Sequence, residues 1–399
     1  MVVQLILVTL SMVLVDLLLP VAVLMFLLPI HPSISSIPAV VWLLLQLIVA
    51  PRDRRWAAWP MAFALLLFSR SWWLNEMPHP VAAQDGLLLV GGLMAAACVP
   101  AKRWPGLLRL WLLPLAVLLL QLGNSPLFPD HLVRVGGHWT PNHWAGANQG
   151  AYLLGLLLLI SVAWLWRFRQ PRWERVTAVI AVVVAAVMVW QTGSRAAFVA
   201  AALAISLIWL REQATKTTVL RNVALLGLGS AIALLMKQLL SPSSAGIPGV
   251  DLSSDVGRLA IARCYSAIPF SGNNRFLYGI GFNRANEFCR DPIQGGVAEH
   301  AHNLYLQLFA SSGILGLFGL MLLLLLLGLA WRDAGEQLDP LTSRAGQMML
   351  AYTLIQGCFD LSLLHWPVTL VVTGVLLGIP LTWRSSQKES FVQGWSDSR

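Results

Sequence analysis

Charged residues are scarce in this 399-residue chain: they make up 11% of it, whereas hydrophobic residues make up 57% and the mean hydropathy is +0.70. A soluble globular domain carries about 25% charged residues, so this scarcity excludes a soluble globule. The few charges are basic on balance, with a formal net charge of +9. They form small clusters between apolar runs instead of one stripe, which is typical of membrane topology and not of nucleic-acid binding.

Metal-binding carboxylate pairs and cysteines are also in short supply. No Asp-x-Asp pair occurs, so the usual carboxylate cradle for a divalent cation on a pyrophosphate is missing. Of the four cysteines, Cys98 and Cys358 lie in apolar runs, while Cys264 and Cys289 lie in one long polar stretch. If that stretch faces an oxidising compartment, the second pair can form a disulfide. Two free thiols are an equal alternative.

Apolar runs of membrane-spanning length dominate the rest of the sequence. Each crossing needs about 20 predominantly apolar residues, and the sequence predicts twelve runs: 3–29, 36–50, 56–74, 85–100, 105–121, 147–166, 174–192, 195–211, 219–240, 302–330, 345–365 and 367–383. We therefore expect an all-α polytopic membrane protein. Its parts are membrane helices one to nine within 1–240, a polar segment at 241–301, helices ten to twelve within 302–383, and a tail at 384–399.

Basic residues predict the orientation of these helices. Every even-numbered run exits into a loop with Lys or Arg, whereas the alternate short loops contain only Arg134 among the basic residues. Cytoplasmic loops carry the excess of Lys and Arg. Both termini and the tail are therefore predicted to be cytoplasmic, and the polar segment is predicted to lie on the opposite face.

The polar segment carries five arginines and no lysine, namely Arg258, Arg263, Arg275, Arg284 and Arg290. Guanidinium groups bind phosphate in a planar, bidentate way that an ammonium group does not match. Pairing with the five acidic residues of the segment is the simpler explanation for most of them. A short helix over Asp255 to Ala267, with Ser254 as its N-cap, is predicted to display Arg258 and Arg263.

Arg195 opens the eighth run after the tight turn Gln191-Thr192-Gly193-Ser194 on the same predicted face. A charge at a membrane boundary is often a snorkelling anchor. Here the free N–H groups of a helix N-terminus also attract anions. The position therefore favours a phosphate site.

His302 opens the tenth run, and His300 precedes it by two residues. A neutral imidazole serves as a general base near physiological pH. A metal site is the weaker alternative, because zinc takes three or four ligands and His138 and His143 of another loop would have to complete the set.

Two acidic residues lie inside apolar runs, where ionisable groups are costly and usually functional or paired. Asp360 lies near the outer end of the eleventh run and is a candidate for orienting His302. Asp16, in the first run, is a candidate for bonding to a neighbouring helix.

The motif His302-Asn303-Leu304-Tyr305-Leu306-Gln307, placed behind a long polar segment, resembles the O-antigen ligase and polymerase superfamily. Two further features are similar to that superfamily. One is Gly193-Ser194-Arg195 at the start of an earlier helix. The other is the order of three motifs in the polar segment: Gly257-Arg258, Pro269-Phe270 and Gly279-Ile280-Gly281-Phe282-Asn283. The resemblance implies a GT-C-type glycosyltransferase with about twelve transmembrane helices and a large periplasmic loop between the ninth and tenth. The superfamily includes O-antigen ligases, O-antigen polymerases and protein O-oligosaccharyltransferases.

The same resemblance implies the roles of individual residues. Arg195 and a loop arginine, Arg258 with Arg263 as its rival, would hold the diphosphate of the donor, and His302 would activate the acceptor hydroxyl. His302, Arg195 and Arg258 are thus the expected catalytic residues, and neither metal nor cofactor is expected. Substrate-binding roles are expected for Arg263, Asn303, Tyr305, His300 and Arg284.

The expected reaction is that of an O-antigen ligase in lipopolysaccharide biosynthesis. It is the metal-independent, inverting transfer of a glycan from undecaprenyl diphosphate to a sugar hydroxyl of lipid A-core, on the periplasmic face of the bacterial inner membrane. The expected partners are this donor, this acceptor and the bilayer, and a monomer is expected to suffice. An O-antigen polymerase, whose acceptor is another carrier-linked glycan, is the nearest alternative. A lipid-linked glycan transporter is the alternative from another class.

Overall fold

The computed structural model describes residues 2–28, 30–49, 58–68, 80–123, 147–167, 171–192, 194–213, 253–272, 274–281, 288–289, 300–334, 337–360 and 366–382, and these contain helices but no strand. The α-helices are α1 Val2–Leu27, α2 Pro32–Val49, α3 Trp59–Phe68, α4 Pro80–Cys98, α5 Trp104–Leu110, α6 Leu113–Gly123, α7 Ala147–Leu165, α8 Arg172–Gln191, α9 Arg195–Gln213, α10 Ser253–Ala267, α11 Arg275–Tyr278, α12 Leu304–Ala334, α13 Pro340–Gly357 and α14 Pro367–Gly378. Short 3-10 helices lie at Ala101–Arg103, Ile268–Phe270 and Ile379–Leu381.

Within the described part, α7, α8 and α12 are long and apolar enough to cross a membrane. A fourth crossing results if Asp85–Cys98 and Ala101–Leu118, which meet at 95°, form one bent span. Shorter apolar helices lie in α1, in α2 and at Pro367–Leu381. The all-α class agrees with the sequence prediction. The number of twelve crossings stays a prediction, and the ninth run, 219–240, lies outside the described residues.

A proline divides the fifth predicted run, 105–121, into α5 and α6. Pro114 is the second residue of α6, and α5 ends at Leu110. Proline lacks an N–H group and its ring clashes with the carbonyl four residues earlier, which here belongs to Leu110. A count of apolar residues does not register this break.

Helices α4 and α14 pack backbone against backbone. A Cβ at Gly92 would lie 2.6 Å from the carbonyl oxygen of Val371, and a Cβ at Gly374 would collide with the carbonyl oxygen of Leu89. Small residues permit the close approach that stabilises helix pairs in a bilayer. These glycines therefore fix α14 against α4.

Buried hydroxyl groups join α7, α13 and α14. The Tyr152 hydroxyl lies 3.1 Å from Thr353 Oγ1 and 3.0 Å from Thr373 Oγ1. The rings of Tyr152 and Tyr352 stack with their centroids 5.7 Å apart. Buried polar groups that are hydrogen-bonded specify one arrangement of the helices around them, so these contacts fix α13.

Polar contacts at one end of the bundle set α9 antiparallel to α13. Arg344 Nε donates to Glu212 Oε1 at 2.6 Å, and Arg211 Nη1 donates to Gln347 Oε1 at 2.8 Å. They join the C-terminal end of α9 to the N-terminal half of α13, and the two helices pack against each other. The start of α9 and the end of α13 therefore lie toward the other end of the bundle.

Asp16, the acidic residue of the first predicted run, is paired. Its Oδ1 accepts a hydrogen bond from Arg103 Nη2 at 2.6 Å. Arg103 belongs to the 3-10 helix between α4 and α5, so the pair joins α1 to that bend. Asp16 thus bonds to a neighbouring element, as the sequence analysis expected.

The described part of the polar segment forms a small unit on the N-terminal part of α12. The unit has a hydrophobic core of its own, which consists of Ile261, Tyr265, Ile268, Ile280, Cys289, Ala301 and Ala310. A disulfide joins Cys264 to Cys289, which decides between the two alternatives that the sequence left open. Closing a loop of this length stabilises a fold by about 3 kcal/mol. Helix α10 starts at Ser253, two residues before its predicted start, and ends at Ala267 as predicted.

Candidate active site

His302 lies at the junction between the polar segment and α12. The sequence predicts it at the start of the helix, but α12 begins at Leu304. His302 lies in the turn before the helix, with a left-handed backbone (φ 49°). The reason is Asn303, whose Oδ1 accepts hydrogen bonds from Tyr305 N at 2.9 Å and Leu306 N at 3.0 Å. Asparagine is a favoured N-cap residue, so it ends the turn and starts the helix.

The turn that carries the two histidines is held by α12 itself. The N–H of Ala301, which lies between them, donates to Oε1 of the buried Gln307 at 2.9 Å. Ala301 is also part of the small core of the polar segment. The rings of His300 and His302 meet edge to face with their centroids 4.1 Å apart. The two imidazoles are thus presented side by side on a fixed backbone.

Asp360 approaches His302 from α13. This helix ends at Gly357, before the predicted end at 365, and Asp360 follows in the turn. The side chain of Asp360 is 4% exposed, and its Oδ1 lies 4.0 Å from His302 Nδ1. Asn303 Nδ2 donates to the carbonyl oxygen of Cys358 at 2.8 Å. The N-cap of α12 therefore also holds the turn that carries the aspartate.

His300, His302 and Asp360 form one group, in which one ligand atom from each side chain lies within 4.8 Å of the other two. Two imidazoles beside a buried carboxylate can accept and release protons or bind a metal ion. The sequence offers His138 and His143 as further ligands, and both lie outside the described residues. The third member is Asp360 instead.

Asn303 and Tyr305, both predicted to bind substrate, brace α12 against α13. The Tyr305 hydroxyl donates to the carbonyl oxygen of Leu354 at 2.8 Å, in parallel with the bond from Asn303 to Cys358. Both bonds hold α12 and α13 at the distance that brings His302 to Asp360. Contact of either residue with substrate stays a prediction.

The Gly-x-Gly motif of the polar segment is seated on a break in α12. Gly313 has a non-helical backbone (φ 62°, ψ −159°), so residues 304–312 end like a separate helix, whose last carbonyls lack intrahelical donors. Ile280 N donates to Ala310 O at 3.0 Å and Gly281 N donates to Ser311 O at 2.9 Å. The motif thereby completes the broken helix and places the polar segment beside the two histidines.

The two rival loop arginines, Arg258 and Arg263, both belong to α10. Arg263 is exposed. Arg275 is already engaged, since its Nη1 donates to Ser271 Oγ at 2.9 Å and its guanidinium lies 4.7 Å from the Phe288 ring centroid.

Arg195 is the first residue of α9. Because α9 runs antiparallel to α13, Arg195 lies at the same end of the bundle as Asp360 and His302. Its side chain, like that of Arg258, lies outside what the structure describes, and so does the whole of Arg284. The structure thus brings His300, His302, Asn303 and Tyr305 together, with the elements that bear Arg195 and Arg258 at the same end.

Two buried glutamines close to the histidine turn were given no role from the sequence. Gln307 is 2% exposed and Gln356, on α13, is 1% exposed. Among the described residues, Gln307 Nε2 and both amide atoms of Gln356 have no hydrogen-bond partner. An amide inside a predicted apolar run was the signal in the sequence, because burying an unpaired amide is costly.

Comparison with known proteins identifies a matching family model. A family model described as O-antigen ligase matches residues 180–321, a range that contains Arg195, the polar segment and the histidine turn. No curated protein matches the chain. Residues 180–321 therefore match the O-antigen ligase and polymerase superfamily, the family that the sequence motifs resemble.

Proposed function

We propose that the protein is an O-antigen ligase, which transfers a glycan from undecaprenyl diphosphate to a sugar hydroxyl of lipid A-core. The superfamily supports ligase or polymerase activity on lipid-linked glycans in a membrane. The observation that carries the proposal is the pairing of His302 with the buried Asp360, beside the helix that bears Arg258 and at the end of the bundle where Arg195 begins α9. The candidate base, His302, and the positions of both candidate cations, Arg195 and Arg258, are thus proposed to lie at one end of the bundle.

Two observations support a periplasmic site in a multi-pass inner-membrane protein. The disulfide between Cys264 and Cys289 is of the kind that persists in oxidising compartments. At the opposite end of the bundle lie Arg211 and Arg344, which the charge pattern predicts to be cytoplasmic. Both termini are accordingly proposed to be cytoplasmic.

The depth of the site fits a carrier diphosphate at the membrane surface. From Gly313 to its end at Ala334, α12 contains about 22 residues and is about 33 Å long, enough to cross the hydrocarbon core. Residues 304–312 and the histidine turn then lie beyond the core. A polyprenyl diphosphate keeps its hydrocarbon chain in the bilayer and its diphosphate just beyond the hydrocarbon core, at the depth of the histidine turn.

His302 acts as the general base in this proposal. The acceptor hydroxyl attacks the anomeric carbon of the donor, its proton passes to an imidazole nitrogen of His302, and the bond to the diphosphate oxygen breaks. Asp360 is a positioning residue, because its carboxylate faces His302 Nδ1 at 4.0 Å and favours the imidazolium that forms. Direct displacement inverts the configuration at the anomeric carbon.

Arginines stabilise the departing diphosphate without a metal ion. Arg195 lies where the N–H groups of α9 already attract an anion, and a guanidinium adds two parallel hydrogen bonds to phosphate oxygens. We assign the second catalytic cation to Arg258, which the Gly257-Arg258 motif favours over Arg263. Fixed charges aimed at the leaving group lower the barrier without reorganisation.

The test is a transfer assay with purified protein in lipid nanodiscs, an undecaprenyl diphosphate-linked glycan as donor, and lipid A-core and a second carrier-linked glycan offered in separate reactions. We expect transfer to lipid A-core, and we expect His302→Ala to lower kcat by about 10²- to 10⁴-fold with donor binding retained. His31→Gln, which alters an imidazole between α1 and α2, is the matched control and should retain activity. An unchanged rate for His302→Ala rejects the base assignment, and transfer only to the carrier-linked glycan identifies a polymerase.

A further inference from the structure

The histidine turn and the end of α13 together present the ligands of a metal site. One ligand atom each from His300, His302 and Asp360 lies within 4.8 Å of the other two. The three side chains come from two elements that are far apart in the sequence, and the bond from Asn303 to the Cys358 carbonyl ties these elements together. The group therefore exists before any ion is bound.

The distances suit a transition-metal ion after a small contraction. Zinc binds nitrogen and carboxylate oxygen at about 2.0–2.2 Å, so neighbouring ligand atoms of a tetrahedral site lie about 3.4 Å apart. His302 Nδ1 and Asp360 Oδ1 are 4.0 Å apart, and the widest separation within the group is at most 4.8 Å. Rotation about side-chain bonds covers this difference, and the backbone need not move.

The ligand types select the ion. Two imidazoles with one carboxylate suit Zn²⁺, Co²⁺, Fe²⁺ or Ni²⁺, whereas Mg²⁺ prefers oxygen ligands and retains water. Three protein ligands leave a coordination position for water. The buried carboxylate of Asp360 supplies the negative charge that offsets part of the charge of the ion.

We propose that His300, His302 and Asp360 bind a divalent transition-metal ion of the Zn²⁺ type and that this ion inhibits glycan transfer. The inhibition rests on the proposed function, because it requires His302 to be the base. A neutral imidazole that binds zinc through one nitrogen carries its single proton on the other, so neither nitrogen has a lone pair for the acceptor proton. The ion therefore lowers kcat and leaves the KM for the donor unchanged. Mg²⁺ should not inhibit, since it prefers oxygen ligands and does not bind a site with two imidazole nitrogens.

Binding is tested without any activity, on metal-stripped full-length protein in nanodiscs with a tag that lacks histidine. Co²⁺ is titrated and its visible absorption recorded, because nitrogen ligands in a four-coordinate site give a band that hexaaqua Co²⁺ lacks, and Zn²⁺ is then added to displace it. We expect one such site per chain. The near-isosteric variants His300→Gln and Asp360→Asn should each weaken it by at least about 10-fold, whereas His31→Gln should leave it unchanged. An unaltered band in both variants, or no band in the wild-type protein, overturns the proposal.

Transfer assays separate the failure of this proposal from the failure of the proposed function. The rate of each protein is expressed relative to its own metal-free rate, and the Zn²⁺ concentration that halves this rate is determined. His300→Gln should raise that concentration at least about 10-fold. Zn²⁺ that binds without inhibiting overturns the inhibitory role and leaves the ligase in place. A chelator that abolishes activity, with restoration by Zn²⁺, overturns both inhibition and metal-independent transfer.

Discussion

At the scale of residues, the contact between Asp360 and His302 depends on Asn303, which caps α12 and bonds to the turn that carries the aspartate. Asp360 and His302 were both recognised, the first as an acid in an apolar run and the second in a motif. The sequence suggested their pairing only as one option, because 58 positions separate them and no periodicity relates them. The structure shows their atoms 4.0 Å apart, and the contact depends on the cap formed by Asn303.

The coupling between these residues is testable by a double-mutant cycle. If Asp360 acts through His302, Asp360→Asn should lower kcat in the wild-type protein with little change in the donor KM. In the His302→Ala background it should have almost no further effect, because residues that act as a unit are not additive. Steady-state kinetics of the four proteins in nanodiscs measure this interaction.

Asp16→Asn is the matched control for the cycle. It removes another buried carboxylate, one that is paired with Arg103 away from the histidine turn. Asp16→Asn should change kcat by the same factor in the wild-type protein and in the His302→Ala variant. Equal losses from Asp360→Asn in both backgrounds would show that Asp360 serves the fold and not the base.

Helix boundaries and breaks decide how the elements meet. The sequence predicted membrane runs at 302–330 and 345–365, and the helices are Leu304–Ala334 and Pro340–Gly357. The starts shift because of local capping. Asn303 caps the first helix. Asp339 caps the second, which begins at Pro340, since Asp339 Oδ2 accepts a hydrogen bond from Leu341 N at 2.9 Å. The break at Gly313 escaped the hydropathy pattern, because apolar residues continue through it.

That break is expected to hold the active site together, although Gly313 takes no part in the chemistry. Its φ of 62° costs a residue with a side chain about 1–2 kcal/mol, and a Cβ would lie 2.6 Å from the Leu277 carbonyl oxygen. Gly313→Ala should therefore loosen the polar segment from α12. We expect a lower unfolding temperature, faster proteolysis of the polar segment and loss of transfer.

Gly328→Ala is the control in the same helix, since a Cβ there meets nothing within 4 Å and alanine favours a helix. It should match the wild-type protein in all three measurements. If Gly313→Ala retains both its proteolytic resistance and its activity, the seating of the Gly-x-Gly motif on α12 does not organise the site.

For the whole molecule, the structure confirms the all-α class that the sequence predicted, whereas the orientation and the number of crossings stay predictions. Apolar composition requires helices in a bilayer because each backbone polar group must be paired internally, and the described residues contain helices only. Crossings are harder to count, because the 95° bend after α4 and the proline break between α5 and α6 divide runs that look continuous. Arg211 and Arg344, which the charge pattern predicts to be cytoplasmic, lie at one end of the bundle, and Asp360 lies at the other.

This separation predicts the accessibility of two introduced thiols. In a background where Cys98 and Cys358 are changed to Ser and the disulfide is kept, Ser271→Cys places a thiol at an exposed position of the polar segment, and Gln337→Cys places one at the exposed turn between α12 and α13. A membrane-impermeant maleimide should label Ser271→Cys in intact spheroplasts and Gln337→Cys only after lysis. The reason is that basic loops are retained in the cytoplasm, whereas a structural disulfide persists on the oxidising side. Labelling of both variants in intact spheroplasts, or the reverse order, would place the histidine turn on the wrong face for a periplasmic transferase.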